Sequence, residues 1–248
     1  KKVGIVTGAA SGVGAECARQ LAANGWNVVV NFRQNAAKAE AVVESCREAG
    51  VDAVAVQGDV AHDADCRRMV KATLDRWGRI DGLVNNAGTT KQVPLGDLEG
   101  LTADDFQHIH AVNTIGPFQM SRAAAPALKA SSGAIVNISS RAAWTAIGGS
   151  IAYATSKGAL NTLTIALAKA LAPQVRVNAV CPGLIDTEWL RTSDPDLYAK
   201  RVEFYRQRAP LGRVVKTAEV ANAALWLLAG ATATTGQCIV IDSGMSLG

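Results

Sequence analysis

Tyr153 and Lys157 stand four residues apart in the segment YATSK, and Ser140 precedes the tyrosine by thirteen residues. A helix over this segment, which the pattern GALNTLTIALAKAL directly after it favours, would place the tyrosine and the lysine on one face. An ammonium beside a phenol favours the phenolate and lowers the tyrosine pKa from its ordinary value of about 10. The three side chains therefore predict acid/base chemistry on a substrate oxygen. By itself the spacing more often marks a packed ring beside a solvated charge, so the rest of the chain must decide.

A second group of residues suited to chemistry is the turn TGAASGVG, which contains Gly8, Ser11, Gly12, Val13 and Gly14. It follows a short β-branched run and leads into a helical pattern. Glycines permit a tight turn and a close approach of the backbone to a pyrophosphate, whose charge then meets the amide groups at the helix N-terminus. The placement of this turn between a strand and a helix predicts a nucleotide-binding site.

Alternating strand and helix patterns must hold both groups of residues in place. The strand patterns are apolar almost throughout, as strands buried on both faces are. Seven-fold alternation without a linker predicts one α/β domain over 1–248, with a doubly wound, parallel seven-stranded sheet and helices on both faces. Strands are predicted at 3–7, 27–31, 52–57, 80–86, 133–139, 175–180 and 237–242, and helices at 14–25, 37–50, 63–78 and 218–230.

Two long segments, 88–101 and 183–216, do not fit simple crossovers, and the second is predicted to be partly helical around 195–208. Each begins at the carboxyl end of a strand, and ligands bind beyond the carboxyl ends of the strands in such folds. We expect these segments to form the substrate walls, with 183–216 as a lid. The candidate pocket residues are mostly apolar or aromatic and suggest a ketone or acyl substrate; they are Trp144, Ile147, Gly149, Trp189, Leu190 and Tyr198.

The composition narrows the function classes. Lysine and arginine number 25 against 21 acidic residues, a net charge of +4, and their scattered positions disfavour a nucleic-acid partner. The longest apolar runs, such as WNVVV and ALWLLAGA, are too short to cross a membrane. Five cysteines stand singly, which is typical of reduced thiols and predicts a cytoplasmic protein. No metal site is predicted, because His62, His108 and His110 have no ligand spacing.

Six motifs together resemble the short-chain dehydrogenase/reductase family over the whole chain. They are TGAASGVG, NNAG at 85–88, Asn113 in HAVNTIG, Ser140, YATSK, and the Pro-Gly pair of CPGLIDT, in the family's order and spacing. The resemblance implies a Rossmann-like fold and a nicotinamide cofactor. It also implies a homotetramer or homodimer built partly on helices around 103–129 and 152–171.

The resemblance assigns roles to four residues. Tyr153 is the proton donor in reduction and the base in oxidation, and Ser140 orients the substrate. Lys157 lowers the pKa of Tyr153 and binds the nicotinamide ribose. Asn113 is expected to distort its helix and to hold a water near Lys157 in a proton relay. Ser139 competes with Ser140 for its role, and the thirteen-residue offset to Tyr153 selects Ser140.

Further cofactor contacts follow from matching positions in the family. Asp59 and Val60 resemble the pair that contacts adenine, although Asp59 is also a plausible cap for the helix beginning near 63. The remaining positions resemble the turn at the ribose and the nicotinamide shelf; they are Asn86, Ala87 and Gly88, and Pro182, Gly183, Ile185 and Thr187.

The end of the second strand indicates which nicotinamide cofactor binds. NAD enzymes place an acidic residue there for the ribose 2′-hydroxyl, whereas this chain has Asn31, Phe32 and Arg33. Arg33 can pair with a 2′-phosphate, and Ser11 and Asn31 could donate hydrogen bonds to it. The sequence therefore predicts NADP(H). If Arg33 merely stacks on adenine, NAD(H) is possible as well.

The predicted function is hydride transfer between NADP(H) and a small carbonyl or secondary alcohol. The closest resemblance is to the branch of acyl-carrier-protein ketoreductases and glucose dehydrogenases, in VVVNFR, PLGR at 210–213 and GQCIVIDSGMSLG. The loop TTKQVPLGDLEGLTADDF is longer than in the ketoreductases and lacks their arginine-aspartate pair, and Ser243 replaces a common glycine, which disfavours a dedicated role in fatty-acid synthesis. A sugar or alcohol dehydrogenase and a non-catalytic nucleotide-binding sensor or assembly protein are the alternatives.

Overall fold

The computed structural model describes residues 1–187 and 195–247 of the chain. Its strands are β1 (Val3–Val6), β2 (Asn27–Phe32), β3 (Ala53–Gln57), β4 (Gly82–Asn85), β5 (Ala134–Ile138), β6 (Arg176–Pro182), β7 (Ile185–Asp186), β8 (Val215–Lys216) and β9 (Cys238–Ile241). Seven of them form one parallel sheet in the order β3-β2-β1-β4-β5-β6-β9, and β7 pairs with β8 separately. The predicted parallel seven-stranded sheet is confirmed.

Helices cover both faces of the sheet. They are α1 (Gly12–Ala23), α2 (Ala36–Glu48), α3 (Asp63–Trp77), α4 (Ala103–His110), α5 (Gly116–Ser131), α6 (Ala142–Thr145), α7 (Ile151–Leu171), α8 (Pro195–Arg208) and α9 (Thr217–Ala229). A π-helix (Ala111–Ile115) joins α4 to α5, and a 3-10 helix (Met245–Leu247) follows β9. One hydrophobic core lies between the sheet and α1, α2 and α9, and a second lies between the sheet and α3, α5 and α7. The Rossmann-like doubly wound arrangement is thereby confirmed.

The strand sequences explain why the sheet is buried. Every residue of β1, β4 and β5 is buried, because helices pack against both faces and leave no polar side of the sheet. Strands β3 and β9 lie at the two edges, and their residues are mostly only partly buried. The near-continuous apolar runs of the sequence are therefore a direct consequence of the two-sided packing.

The strand order reverses beside β1, and this reversal sets the position of the ligand site. Strand β1 pairs with β2 on one side and with β4 on the other, so the connections leave their carboxyl ends in opposite directions. A crevice opens where the two connections part. The glycine turn after β1 and the NNAG segment at the end of β4 meet in this crevice.

Two segments differ from the sequence prediction. The excursion 183–216 contains α8 as expected, and it also contains the short pair β7 and β8, which two-residue runs could not reveal. The expected long helix around 103–129 is divided by the π-helix at Asn113. No helix within the described ranges is both long and apolar enough to span a membrane.

Candidate active site

A cleft of about 1580 Å³ lies beyond the carboxyl ends of the strands, in the crevice described above. Its volume exceeds the roughly 300–1,000 Å³ of a pocket for one small ligand, so it has room for a dinucleotide and a substrate together. All of the predicted catalytic and cofactor-binding residues line it except Gly14 and Asn113, which stand behind its wall. Residues far apart in the sequence therefore meet in one space.

Ser140 and Tyr153 face each other within this cleft. Ser140 directly follows β5, and its hydroxyl accepts a hydrogen bond from the Ala142 amide at 3.1 Å. Tyr153 lies in the first turn of α7, where the Ser150 hydroxyl caps the helix by accepting from the Tyr153 amide at 3.2 Å. Both side chains line the cleft. Ser139 is instead buried, and its hydroxyl donates to the Lys157 carbonyl oxygen at 3.3 Å.

Lys157 lies behind Tyr153 on the same helix, with 4% of its surface exposed. Its ammonium donates to the Ile138 carbonyl oxygen at 2.9 Å and lies 5.6 Å from the centre of the Tyr153 ring. Burial disfavours the charged ammonium and lowers the pKa of Lys157 to about 8.

In this arrangement burial sets the direction of the Tyr153 pKa, and the nearby lysine does not bring that pKa below its ordinary value. Burial of the phenol is the largest influence and raises the pKa of Tyr153, while the polar side chain of Ser140 opposes that rise. Burial disfavours the phenolate just as it disfavours the ammonium. The ammonium also donates its hydrogen bond to Ile138 rather than to the phenol oxygen.

Asn113 lies in the π-helix, so the predicted distortion of its helix is present. Its side-chain oxygen accepts from the Thr89 amide at 2.8 Å, and its side-chain nitrogen donates to the Thr89 carbonyl at 2.9 Å and to Ser156 Oγ at 3.0 Å. The Ser156 hydroxyl in turn donates to the Tyr153 carbonyl at 2.7 Å. Asn113 therefore links the loop after β4 to the start of α7. Its side-chain oxygen and Lys157 Nζ both lie near Gly88, 3.5 and 3.7 Å from where a β-carbon would be.

The glycine turn fits the pyrophosphate of a dinucleotide. A β-carbon at Gly8 would lie 2.8 Å from Ala87 Cα, and one at Gly14 would lie 2.5 Å from the Gly8 carbonyl oxygen, so side chains are excluded at both positions. Ser11 precedes α1 as its N-cap residue, yet its exposed hydroxyl makes no capping hydrogen bond. The first amide groups of α1 and the Ser11 hydroxyl are thus available to an anion at the cleft.

Thr7 is a site residue that the sequence analysis missed. Its buried hydroxyl accepts from the backbone amides of Asn86 and Ala87, both at 3.0 Å. The Asn86 side chain returns hydrogen bonds to the Thr7 and Gly8 carbonyls at 2.9 and 3.0 Å. These bonds fix the glycine turn against the NNAG segment. The available signal was a hydroxyl at the end of an apolar strand, directly before the turn.

Asn31 requires a correction. It lines the cleft, but its side chain is buried, and its oxygen accepts from the Gly8 amide at 3.1 Å. Its side-chain nitrogen donates to the carbonyls of Val56 and Gly58 at 3.1 and 3.0 Å. Both amide hydrogens are therefore used, and the predicted donation from Asn31 to a 2′-phosphate is wrong. Asn31 instead connects the glycine turn to β3.

Arg33 and Asp59 form the outer wall at the cofactor end. The half-exposed Arg33 places Nη1 3.7 Å from Asp59 Oδ2. The other oxygen of Asp59 accepts from the Ala61 amide at 2.9 Å and closes a local turn. The N-cap of α3 is His62, so the alternative that Asp59 caps this helix is not what the structure shows.

The candidate substrate residues separate into three groups. Ile147 and Gly149 line the cleft. Trp144 is 55% exposed and is not part of the wall, and Tyr198 donates from its hydroxyl to Asp186 at 2.8 Å without lining the cleft. Trp189 and Leu190 lie outside the described residues. The wall also includes Thr90 and Gln92 from the predicted wall segment 88–101, and Phe204 and Tyr205 from the predicted lid segment 183–216. Arg141 and Met245 line it as well and were not predicted.

Arg141 connects the catalytic strand to the end of the chain. Its guanidinium lies 3.7 Å from the carboxylate of Asp242, and both side chains are buried. It also lies 5.7 Å from the centre of the Tyr205 ring, and the Tyr205 hydroxyl accepts from the Leu184 amide at 3.0 Å. Helix α8 is thus anchored above the residue that follows Ser140.

Comparisons with known proteins agree with this geometry. The family model described as enoyl-(acyl carrier protein) reductase matches residues 8–246. A Streptomyces violaceoruber protein, provisionally named ketoacyl reductase 2 of the granaticin polyketide synthase, is 42% identical over 246 residues, which cover 99% of this chain and 96% of that protein. A 3-oxoacyl-acyl-carrier-protein reductase from Synechocystis is 37% identical over 248 residues and covers 98% and 96% of the two chains.

A solved structure is similar over the same length. It is a provisionally assigned short-chain dehydrogenase/reductase from Burkholderia xenovorans, with a TM-score of 0.93 and 40% sequence identity. The alignment covers 100% of this chain and 99% of that one. The likeness therefore extends over both the cofactor end and the substrate end of the cleft.

Proposed function

We propose that this protein reduces a small ketone with NADPH, because the chain belongs to the short-chain dehydrogenase/reductase family and lies near its 3-oxoacyl-acyl-carrier-protein reductase branch. That it is an oxidoreductase follows from this membership. The NADP(H) preference, the ketone and the roles of individual residues are the proposal. One observation carries it: Ser140, Tyr153 and Lys157 meet in the same cleft as an exposed helix N-terminus with a glycine turn.

The chemistry requires a proton for the oxygen of the ketone. A bound nicotinamide dinucleotide supplies the hydride, and the carbonyl oxygen that becomes negative must be stabilised and protonated. The Ser140 and Tyr153 side chains both line the cleft, so both hydroxyls can donate to one oxygen. Tyr153 gives the proton, and Ser140 fixes the oxygen. The raised pKa of Tyr153 keeps the phenol protonated at neutral pH, as a donor in reduction must be.

Lys157 and Asn113 support this proton transfer. The buried ammonium lies next to the phenol ring and attracts negative charge that develops on Tyr153. Because the pKa of Lys157 is about 8, the lysine is mostly charged at pH 7 and can itself exchange a proton. Asn113 bonds to both the loop after β4 and the first turns of α7 and so fixes their relative position, with Lys157 close to Gly88.

The preference for NADP(H) rests on charge at the cofactor end. No acidic residue ends β2, and Arg33 extends from it into the cleft. A 2′-phosphate would draw Arg33 from its long 3.7 Å contact with Asp59 into a stronger charge-assisted hydrogen bond. The Ser11 hydroxyl completes the phosphate site. Other proposed contacts are Val13 at the helix start, Val60 at the adenine, and Pro182, Gly183, Ile185 and Thr187 at the nicotinamide.

We further propose a homotetramer or homodimer in the cytoplasm. Ile115, Phe118 and Ile165 expose apolar surface on the π-helix, α5 and α7, and association of copies would cover it. All five cysteines are free thiols, as a reducing compartment keeps them. Light scattering at several concentrations tests the association; a monomer throughout would contradict it.

The central experiment measures cofactor oxidation at 340 nm with diketones, acetoacetyl thioesters, simple ketones and a sugar lactone. We expect NADPH to be oxidised with a lower KM than NADH, and Arg33→Ala to raise the KM for NADPH about tenfold while changing that for NADH little. Tyr153→Phe should reduce turnover by at least a thousandfold while NADPH still binds with nearly the same Kd. Retained turnover in Tyr153→Phe would contradict the mechanism, and tight NADPH binding without any turnover would favour the sensor.

A further inference from the structure

Among the described residues that line the cleft, many are cations and one is acidic. Asp59 is the acid, and the cations are Arg33, Lys38, Arg141, Lys157, Lys200, Arg201 and Arg208. Several of these cations are engaged by the site already described. Arg33 lies beside Asp59, Arg141 is paired with the buried Asp242, and Lys157 donates to Ile138. Lys38 lies with Ser11 and Gly12 around the glycine turn.

The remaining three cations, Lys200, Arg201 and Arg208, all come from α8. Positions 200, 204 and 208 recur every four residues, so Lys200, Phe204 and Arg208 share the helix face that lines the cleft. Within ranges 1–187 and 195–247, no acidic side chain pairs with any of the three. Arg206, on the same helix, shows the contrast: it does not line the cleft and pairs with Glu203 at 3.1 Å.

The position of α8 assigns these cations to the substrate end. Its Tyr205 is held over Arg141, the residue directly after Ser140, and packs with Ala209 and Met245 near the end of the chain. Ser11 and Gly12 of the glycine turn also line a second, smaller pocket with Lys38, and no described residue of α8 lines that pocket. An anion held by α8 would therefore belong to the molecule that meets Ser140.

Like charges on one helix face repel one another. In the part of the chain that the structure describes, no carboxylate offsets this repulsion, and Arg208 lies over the Phe204 ring at 4.9 Å. Arg201 is moreover half-buried, which adds a desolvation cost that an anion would offset. A cleft lined by one sign of charge also concentrates ligands of the opposite sign. A negatively charged ligand would reduce the repulsion, offset the desolvation cost of Arg201 and be concentrated in the cleft.

On this basis we propose that Lys200, Arg201 and Arg208 bind an anionic group, a carboxylate or a phosphate, on a small ketone substrate. The inference rests on the proposed ketone reduction and specifies its substrate class. Apolar contacts from Ile147, Phe204 and Met245 would hold the chain between the ketone and the anion.

The test compares matched ketones with and without the charge. The pairs are acetoacetate and methyl acetoacetate, 4-oxopentanoate and its methyl ester, and dihydroxyacetone phosphate and dihydroxyacetone. We expect kcat/KM to be at least tenfold higher for the anion in one or more pairs, and that advantage to shrink as salt is added. The carboxylate pairs and the phosphate pair distinguish the two anionic groups.

Charge-removing variants identify the residues. Lys200→Gln, Arg201→Gln and Arg208→Gln should each lower kcat/KM for the preferred anion about two- to fivefold, as exposed ion pairs do, and the triple variant should lower it tenfold or more. Values for the uncharged ketone should not change. Arg206→Gln is the matched control, because it removes the same charge from the other face of α8.

Direct binding keeps this inference separate from the proposed function. Calorimetric titration of acetoacetate or phosphate into the protein should show binding that the triple variant loses, whether or not any ketone is reduced. Binding without turnover would contradict the reduction alone. Equal kcat/KM for anions and esters, or triple-variant effects on NADPH affinity alone, would overturn the anion site. Effects seen only with an acyl-carrier-protein thioester would overturn it in favour of a protein partner.

Discussion

Replacing Lys157 by methionine should stabilise the fold at neutral pH while it abolishes activity. The pKa of Lys157 is lowered from 10.5 to about 8 because the ammonium is buried. Each pKa unit corresponds to about 1.4 kcal/mol, so carrying this charge at pH 7 costs the folded state about 3 kcal/mol. Methionine has a similar length and no charge. It loses the hydrogen bond to Ile138, which is worth about 1–2 kcal/mol, and the net gain is about 1–2 kcal/mol.

The pH dependence gives this prediction its sharpest form. Between pH 8 and 10.5 the unfolded chain binds more protons at this lysine than the folded one, so the wild-type free energy of unfolding rises with pH across that window. Methionine does not titrate. The advantage of Lys157→Met should therefore be complete below pH 8 and should disappear, or reverse slightly, as the pH approaches 10.5.

Urea unfolding at pH 7, 8, 9 and 10, at one fixed protein concentration, measures both effects. Lys129→Met is the control, because Lys129 is exposed on α5 and its replacement should change the free energy of unfolding by less than about 0.5 kcal/mol. A Lys157→Met protein that is less stable than the wild type at pH 7, by an amount that does not vary with pH, would refute the argument from burial.

Three further changes test other parts of the structure. Asn31→Ala removes the links from the glycine turn to β3 and should lower the free energy of unfolding by about 2–3 kcal/mol in urea; an unchanged midpoint would mean that these hydrogen bonds do not hold the turn. Gly14→Ala should weaken NADPH binding at least tenfold by fluorescence titration, since its β-carbon would lie 2.5 Å from the Gly8 carbonyl; unchanged affinity would contradict the need for that close approach. Ser243 has φ +61°, so Ser243→Gly should raise stability by about 1 kcal/mol, and a lower Tm would show that the serine side chain contributes more than the strain costs.

The sheet could be predicted from the sequence because its cause is local. Strands covered on both faces are apolar at almost every position, and the sequences of β1, β4 and β5 fit this apart from the buried Asn85 and Asn137. The pair β7 and β8 could not be predicted, since each strand has two residues and exists only because residues 185–186 and 215–216 meet in the fold.

The site was predictable in position and less so in its electrostatics. Motif spacing indicates that Ser140, Tyr153 and Lys157 meet, but it does not reveal burial, which determines the direction in which the pKa of Tyr153 moves. Asn31 illustrates the same limit. A polar residue at the end of a strand reads as a ligand contact until the structure shows its amide bonded to two other segments.

The π-helix between α4 and α5 also determines which face of α5 points toward the core. In an α-helix each added residue turns everything after it by about 100°, and a wide turn takes up one such residue. With that offset upstream, Met120, Ala124 and Leu128 on α5 are buried against the core. Deleting one residue from 111–115 would swing these residues toward solvent or pull Asn113 from Thr89. The wide turn thus allows Asn113 to face Thr89 while the apolar residues of α5 face the core, an arrangement that we do not expect from an unbroken α-helix.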